Sequence, residues 1–332
     1  MSHYKHLSIE ERESLFLFKA QGKSIRAIAR ELNRAPSTIS RELRRTKSGH
    51  RPYRPSAAQA RYERNRKRCG RKHVLRQPAA QQLVRELVEL QWSPEEISGR
   101  LKAENNTFQI SFSSIYRAIN AGIFDVSKEL HKKDKFIYKL RKKGKRRKAN
   151  NTERKQGKYE ILRHIQDRPS GAQDRSEIGH WEGDTIIGKK GSARLVTLTD
   201  RCTRFLLAGK VADGSCETVK DEMIRLLSSV PKEKVKSVTP DRGHEFARYQ
   251  DVEAVLPYAE FYFPPPYSPW ERGTNENTNG LLREYFPKYT DIAPASEETV
   301  NAAVARLNMR PRKCLNWKSP YEVFFGEVLH LT

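Results

Sequence analysis

The sequence has few cysteines and no long apolar segment. Its 332 residues include four scattered cysteines, Cys69, Cys202, Cys216 and Cys314. None belongs to a CxxC pair or lies at zinc-ligand spacing from histidines, which predicts reduced thiols rather than disulfides or structural zinc. The apolar runs fall short of the roughly 20 residues that cross a bilayer, and the polar start MSHYKHLSIEERE does not resemble a signal peptide. These absences predict a cytoplasmic protein.

Acidic residues are scarce in the first half of the chain. Residues 1–170 contain 42 Lys and Arg against 17 Asp and Glu, a net charge of +25, whereas residues 171–332 contain 22 against 23, a net of −1. The excess of positive charge therefore lies entirely in the first half. It predicts a polyanionic partner, most often nucleic acid; an ordinary basic surface is the alternative. The length predicts two or more domains, at roughly 150 residues per domain.

Residues 1–50 carry a helix-turn-helix pattern. A capping box at Ser8 begins a first helix that is expected to bury Ile9, Leu15, Phe16 and Phe18. A second helix starts at Ser24, and Pro36 opens a third, which turns Ile39 and Leu43 inward. The outward hydroxyls and guanidinium groups of the third helix suit phosphates and base edges. The predicted DNA contacts there are Ser37, Thr38, Ser40, Arg41, Arg44 and Arg45. A small helical bundle with a solvated face is the alternative.

Three further segments are predicted before the second half. Residues 51–77 are expected to form a basic linker along DNA phosphates, or a merely solvated one. Residues 78–122 repeat the order of helix, turn and Ser-led helix, which predicts a second helix-turn-helix-like domain; a helical spacer or dimerisation unit is the alternative. Residues 123–170 form a second basic linker that is expected to be flexible.

Residues 171–332 change from helical to strand periodicity. The predicted order is three strands, then helix, strand, helix, strand and helix, which indicates a mixed α/β sheet of five strands. Asp184 lies in the first strand, Asp241 at the end of the fourth, and Glu276 at the start of the last helix, with Thr274 and Asn275 as its expected caps. Carboxylates at a strand end and a helix start can share divalent metal ions when the fold brings them together. Taken singly, two of these acids have a structural alternative. Asp184 could be an ordinary acid at the edge of a strand, and Glu276 could simply stabilise the helix dipole from the first turn.

The motifs around these acids resemble a known family. The segments HWEGDTIIGK, TPDRGHEFA and YSPWERGTNENTNGLLREYFPK are similar to those of DDE transposases of bacterial insertion sequences, of the IS-thirty type. The segments SIRAIARELNRAPSTISRELRR and WSPEEISGRL extend the resemblance over nearly the whole chain. It implies a multidomain protein whose all-α, helix-turn-helix half precedes an RNase H-like, integrase-like core. It also implies that Asp184, Asp241 and Glu276 are the catalytic and metal-binding triad.

Two features depart from the family pattern. Arg242 stands where the family often has Asn, and the 34 residues between Asp241 and Glu276 are one more than usual. An extra residue in the loop 264–266 would account for the second departure. Glu271 and Glu284 are rival third ligands. Arg242 and Arg272 are expected to contact DNA beside the site. His180 and His244 lie near the acids in the sequence, and a structural role is expected for each, with orientation of water as the alternative.

The expected reaction follows from the ligands. Hard carboxylate oxygens favour Mg²⁺, with two ions expected and Mn²⁺ as a substitute. Water would cleave a phosphodiester at a terminal inverted repeat of the element, and the freed 3′-hydroxyl would attack target DNA. Paired cleavage of two ends predicts a homodimer or a larger assembly, associated with the bacterial nucleoid. The alternatives are a DNA-binding regulator with an inactive second half, and a nuclease that cuts without joining.

Overall fold

The computed structural model describes residues 6–45, 52–68, 74–125, 135–140, 159–189, 191–266 and 269–331. They belong to two compact units, residues 1–73 and 74–332. Most of the basic linker predicted at 123–170 lies outside the described residues. No described helix combines the length and the apolar character that crossing a bilayer requires.

The described residues of the first unit form four helices: α1 Ile9–Ala20, α2 Ile25–Glu31, α3 Pro36–Arg45 and α4 Pro55–Arg68. Leu15, Ile28 and Ile39 form the centre of the three-helix core, as the apolar spacing predicts. Helix α4 lies within the range expected to be a linker, and it buries Ala58. The expected burial of Ile9 and Phe16 is wrong, because their side chains are 37% and 42% exposed. A helix of 12 residues in a small core can turn only a narrow stripe inward, and α1 uses Leu15 there.

A buried polar network ties α1 to α3 and α4. Arg12, 1% exposed, donates from Nε to Glu42 Oε1 at 2.7 Å and from Nη1 to the Leu7 carbonyl at 2.6 Å. Gln59 of α4 accepts a further hydrogen bond from Arg12. The orientation of α3 therefore depends on a charge pair that apolar periodicity does not reveal.

The second unit begins with a helical module: α5 Pro78–Glu89, α6 Pro94–Ala103 and α7 Phe112–Asn120. Ile97, Leu101 and Ile115 are fully buried at its centre. Helix α6 packs against the C-terminal segment of the chain. There Arg100 forms a bidentate pair with Glu322, at 2.6 and 2.8 Å, and Gly99 leaves no room for a Cβ atom beside the Trp317 ring. A buried ion pair thus connects the helical module to the C-terminal segment of the same unit.

The buried Arg100–Glu322 pair predicts a loss of stability in acid. Burial alone would raise the pKa of Glu322, but the Arg100 hydrogen bonds and two backbone N–H groups lower it to about 2. A carboxyl group with a lowered pKa stabilises the fold fully above its unfolded pKa, near 4.5, and loses that contribution as pH falls through 2. We expect Glu322→Gln to lower the free energy of unfolding by about 3 kcal/mol at neutral pH. In urea titrations this deficit should shrink between pH 4.5 and 2.

The matched control is Glu327→Gln, because Glu327 is exposed on the same segment. It should leave the unfolding free energy unchanged at every pH. A Glu322→Gln deficit that stays constant down to pH 2 would contradict the linkage.

The remainder of the second unit is built on a five-stranded sheet in the order β3-β2-β1-β4-β5. Strands β1 to β3 are antiparallel neighbours, while β4 pairs in parallel with β1, and β5 with β4. This confirms the mixed sheet expected from the order of elements. The strands are β1 His180–Ile187, β2 Arg194–Asp200, β3 Leu206–Val211, β4 Ser237–Thr239 and β5 Glu260–Phe261. The helices are α8 Ser170–Gln173, α9 Cys216–Ser228, α10 Tyr249–Val255, α11 Gly273–Leu282, α12 Glu297–Met309 and α13 Pro320–Phe325.

Helices cover both faces of the sheet. Trp181 and Leu198 belong to the core that α9, α10 and α13 cover. Ile186 and Leu195 belong to a second core under α11 and α12. Because side chains alternate along a strand, Asp184 shares its face with Ile186 and is directed towards α11. The fold therefore places the first acid of the predicted triad under the helix that carries the third.

Candidate active site

Two of the predicted acids lie at corresponding positions on, or just after, two neighbouring strands in the interior of the sheet. Glu182 of β1 is in register with Thr239 of the parallel strand β4. Two residues further along each strand come Asp184 and Asp241, the latter just beyond the end of β4. Asp184 Oδ1 accepts from the Thr185 N–H at 2.8 Å, and Asp241 Oδ1 from the Gly243 N–H at 2.8 Å. The backbone thus fixes one oxygen of each carboxylate.

Helix α11 reaches both acids. Arg272, at its N-terminal boundary, donates from Nη1 to the Gly183 carbonyl at 2.9 Å, and its Nη2 lies 3.7 Å from Asp241 Oδ2. Asn279, two turns along, donates from Nδ2 to Asp184 Oδ2 at 2.9 Å. A cation and an amide from this helix therefore contact the second oxygen of each Asp.

Glu276 is exposed on α11 and does not join the Asp pair. It lies four residues after Arg272 and three before Asn279, spacings that place side chains on one face of a helix. Glu276 therefore shares the face whose other members touch Asp184 and Asp241. The helix begins at Gly273, so Thr274 and Asn275 lie inside it, and the expectation that they cap it is wrong.

The fit of these residues to a divalent metal ion is partial. Carboxylate oxygens are the donors that Mg²⁺ and Mn²⁺ prefer, and two of the three predicted donors are neighbours. Within the described ranges, however, no three His, Cys, Asp or Glu side chains are grouped closely enough to hold a metal. A site built from the three predicted acids would need the Glu276 carboxylate to lie closer to the two Asp side chains.

The rival third ligands are placed differently. Glu284 follows the end of α11, and its Oε2 accepts from Arg310 Nη1 at 3.1 Å. Glu271 precedes α11, and its backbone carbonyl accepts from Arg201 at 3.3 Å. Neither residue lies between Arg272 and Asn279 on the helix face that reaches the Asp pair.

A buried acid that the sequence analysis did not single out fixes the start of α11. Glu182 is fully buried beside Asp184 on the same strand face, and its carboxylate pairs with Arg201. Its Oε2 also accepts from the Asn275 N–H at 2.8 Å. This contact holds the first turn of the helix against β1, one residue before Glu276. The spacing of two residues from Asp184 was the available signal, since it places both acids on one face of a strand.

The turn after Asp241 is also tied to β1. Thr185 Oγ1 donates to Glu245 Oε1 at 3.0 Å, and a Cβ atom on Gly243 would collide with the carboxylates of both Glu245 and Asp241. The Tyr159 hydroxyl donates to the Asp241 carbonyl at 3.4 Å. Burial, followed by the negative charges of Asp241 and Glu245, raises the pKa of Tyr159, so its hydroxyl stays a donor. Glu245 and Tyr159 hold the backbone around Asp241.

The two departures from the family pattern meet in the structure. Arg242 donates from Nε to the Pro264 carbonyl at 2.7 Å, and Pro264 begins the loop expected to contain the additional residue. This contact anchors the loop next to Asp241. Residues 267 and 268 of the same loop lie outside the described residues.

The remaining predicted residues divide into exposed and structural groups. On α3, Ser37, Arg41 and Arg44 are exposed along one face, whereas Thr38, Ser40 and Arg45 are half-buried. His180 is buried, with its ring nitrogens 2.7 Å from Ser237 Oγ and 2.9 Å from Glu177 Oε2, which confirms a structural role. His244 is exposed.

Comparison with protein families identifies two domains. A profile described as "Helix-turn-helix domain" matches residues 3–46, and one described as "Integrase core domain" matches residues 174–260. The first covers α1 to α3. The second includes Asp184 and Asp241 and ends before Glu276.

Three transposases are similar to almost the whole chain. Transposase InsI of insertion sequence element IS30A, from Escherichia coli (strain K12), is 38% identical over 325 residues, which are 96% of this chain and 83% of the relative. The transposase of IS1086 from Cupriavidus metallidurans is 37% identical over 327 residues, 96% of this chain and 94% of the relative. The transposase of IS4351 from Bacteroides fragilis is 33% identical over 325 residues, 96% of this chain and 95% of the relative.

Similarity of this extent confirms the resemblance found in the motifs, and the integrase core implies dependence on a divalent metal. With a helix-turn-helix domain for binding DNA and an integrase-type core for cleaving and joining it, the chain belongs to the IS30 family of insertion-sequence transposases.

Proposed function

We propose that this transposase binds the terminal inverted repeats of its element and uses Asp184, Asp241 and Glu276 as the catalytic triad. The helix face of α11 carries the proposal, because Glu276 lies between two residues that contact the Asp pair, Arg272 and Asn279. The exposed face of α3, with Ser37, Arg41 and Arg44, would enter the major groove of the repeat.

The three carboxylates would hold two Mg²⁺ ions, for which Mn²⁺ can substitute. When bound, the ions would activate the attacking oxygen and stabilise the leaving oxygen at the scissile phosphate. The chain's own residues position these groups. Glu182 fixes the start of α11 and hence Glu276, while Thr185, Glu245 and Tyr159 fix the turn that carries Asp241. Arg272 and Arg242 would contact DNA at the margin of the site.

The reaction is expected to have two steps at the same site. Water attacks the phosphodiester at the element end, the bond to the 3′ oxygen breaks, and a 3′-hydroxyl is released. That hydroxyl attacks a phosphodiester of the target, a new P–O bond forms and a target 3′ oxygen leaves. In each step the attacking oxygen directly replaces the leaving 3′ oxygen on phosphorus. The reaction therefore needs no covalent intermediate with the enzyme.

The test is metal dependence of both steps on one DNA. The full chain is incubated with a labelled duplex ending in the element's terminal repeat and a supercoiled target plasmid. With Mg²⁺ we expect 3′-end cleavage and joined products, both absent with EDTA and restored by Mn²⁺. Cleavage without joined products would favour a nuclease, and sequence-specific binding without cleavage would favour a regulator.

The second helical module fits the same function. In α7, Arg117 donates to the Ser113 carbonyl at 3.3 Å, as Arg41 of α3 donates to the Ser37 carbonyl at 3.3 Å. The two third helices therefore present the same Ser and Arg arrangement, and both arginines are exposed. This similarity supports 78–122 as a second DNA-binding domain. Assembly into a dimer or larger complex and association with the nucleoid belong to the same proposal.

A further inference from the structure

The second unit has a pocket lined by three arginines on the flank of α11. Its volume is about 290 Å³. Arg175, Arg204 and Arg312 line it together with Gly273, Thr274, Asn277, Thr278 and Cys314. Residues 171–332 have a net charge of only −1, so composition gave no sign of this positive pocket.

The pocket arginines Arg175, Arg204 and Arg312 form no ion pair with any residue that the structure describes. Arg312 is only 9% exposed, and its Nη2 donates to the Leu307 carbonyl at 3.1 Å. Burial and the positive charge of Arg310 lower the pKa of Arg312 to about 10. The carboxylates of Glu96 and Glu284 oppose this shift, but both form their ion pairs with Arg310. An anion in the pocket would therefore stabilise the buried Arg312 guanidinium.

A second buried arginine lies in the same electrostatic environment. Arg168 is 6% exposed, and its Nε and Nη1 atoms have no hydrogen-bond acceptor within the described part of the chain. Burial, and then the charge of Arg201, lower its pKa to about 10; Arg175 adds to the effect. The charges of Glu182 and Glu271 oppose these effects but leave the pKa of Arg168 lowered.

Part of the pocket wall lies on the side of α11 that is turned away from Glu276. Thr274 and Thr278 line it, and each lies two residues from Glu276, about 200° around the helix. Gly273 and Thr274 also begin α11, so the positive end of the helix dipole adds to the arginine charge. Arg204 Nη1 donates to Thr274 Oγ1 at 2.8 Å, which fixes one guanidinium at the pocket wall.

We propose that this pocket binds a backbone phosphate of the DNA on which the transposase acts, on the opposite side of α11 from Glu276. Guanidinium groups match the geometry of phosphate oxygens. A phosphodiester held there would anchor a strand beside the catalytic helix without touching the reacting phosphate. The inference rests on the proposed function, because it takes DNA as the substrate of this unit.

Arg175→Gln in the full chain tests the pocket. The Arg175 side chain is exposed and forms no hydrogen bond with another described residue, so its replacement should not affect folding. The dissociation constant for a terminal-repeat duplex is measured by fluorescence anisotropy in EDTA, over a range of salt concentrations. Loss of one phosphate contact should lower the slope of log Kd against log salt by about 0.9. The affinity at low salt should fall several-fold. Arg225→Gln, at an exposed arginine on α9, is the matched control.

Each outcome decides a separate question. A slope equal to that of Arg225→Gln overturns the pocket. In a second measurement, the melting temperatures of the wild type and of Arg175→Gln are determined with inorganic phosphate. If phosphate raises the melting temperature of the wild type alone and the salt slope of DNA binding is unchanged, the pocket is a site for a free anion, and the proposal is overturned. Cleavage of the duplex in Mg²⁺ is measured on the same preparations. If the duplex is cleaved but the salt slope of DNA binding is unchanged, only the phosphate pocket is refuted. If the slope is lowered but no cleavage occurs, the proposed activity is refuted and the phosphate site is supported.

Discussion

Replacing Glu276 by Gln is expected to abolish both cleavage and strand transfer while leaving DNA binding intact. The amide keeps the size of the side chain but removes the charge that would hold a divalent ion. Loss of a metal contribution of several kcal/mol to the transition state corresponds to at least about a 10³-fold loss of rate. Because Glu276 is exposed, the substitution should not change the melting temperature. Asp184→Asn and Asp241→Asn should have the same effect on the reaction.

The chain offers matched controls for this experiment. Glu271→Gln and Glu284→Gln alter the two neighbouring acids that are also candidate third ligands. Both should retain cleavage within about tenfold, because neither acid shares the α11 face with Arg272 and Asn279. Cleavage by Glu276→Gln in Mg²⁺, or its loss in one of these controls, would show that the third ligand has been assigned incorrectly. Binding to the terminal repeat, measured by gel shift, distinguishes a catalytic defect from a loss of DNA binding.

Replacing Glu182 by Gln is expected to produce the largest loss of stability from a single polar change. Arg201, 3% exposed, would keep its charge but lose its buried carboxylate partner. Removing one partner of a buried ion pair costs about 3–5 kcal/mol. The Asn275 N–H would also lose a charged acceptor. Urea titration should therefore show a lower midpoint, and cleavage should fall even where the chain remains folded, because α11 carries Glu276.

Glu177→Gln provides the comparison. Glu177 contacts His180 at 2.9 Å and also pairs with Lys236, but it is half-exposed. Exposed pairs contribute roughly 0–1 kcal/mol, so its replacement should shift the midpoint little. If both substitutions lower stability equally, the buried Glu182–Arg201 pair does not make the larger contribution expected of it. Partial recovery in the double variant Glu182→Met/Arg201→Met would show that the unpaired charge is the main cost.

The fold of this protein was largely predictable because its elements have regular patterns. Apolar spacing placed α1 to α3, and the order of strands and helices predicted the mixed five-stranded sheet. The motifs predicted the family, which the full-length similarity confirms. The burial of Phe16 was wrong because periodicity identifies an apolar face but not how much of it the neighbouring helices can cover.

The sequence by itself determined the DNA-binding character of the first half, the family and the identity of the candidate acids. These properties depend on composition and on patterns among residues that are close together in the chain. Only the tertiary structure decided how these acids are placed. Asp184 lies in β1 and Asp241 just after the neighbouring parallel strand β4, while Glu276 is exposed on a helix that Glu182 and Arg201 hold in place. It also gathered Arg175, Arg204 and Arg312 into one pocket from positions up to 137 residues apart. Contacts between residues so distant in the chain depend on strand register and helix packing, and no short-range pattern encodes them.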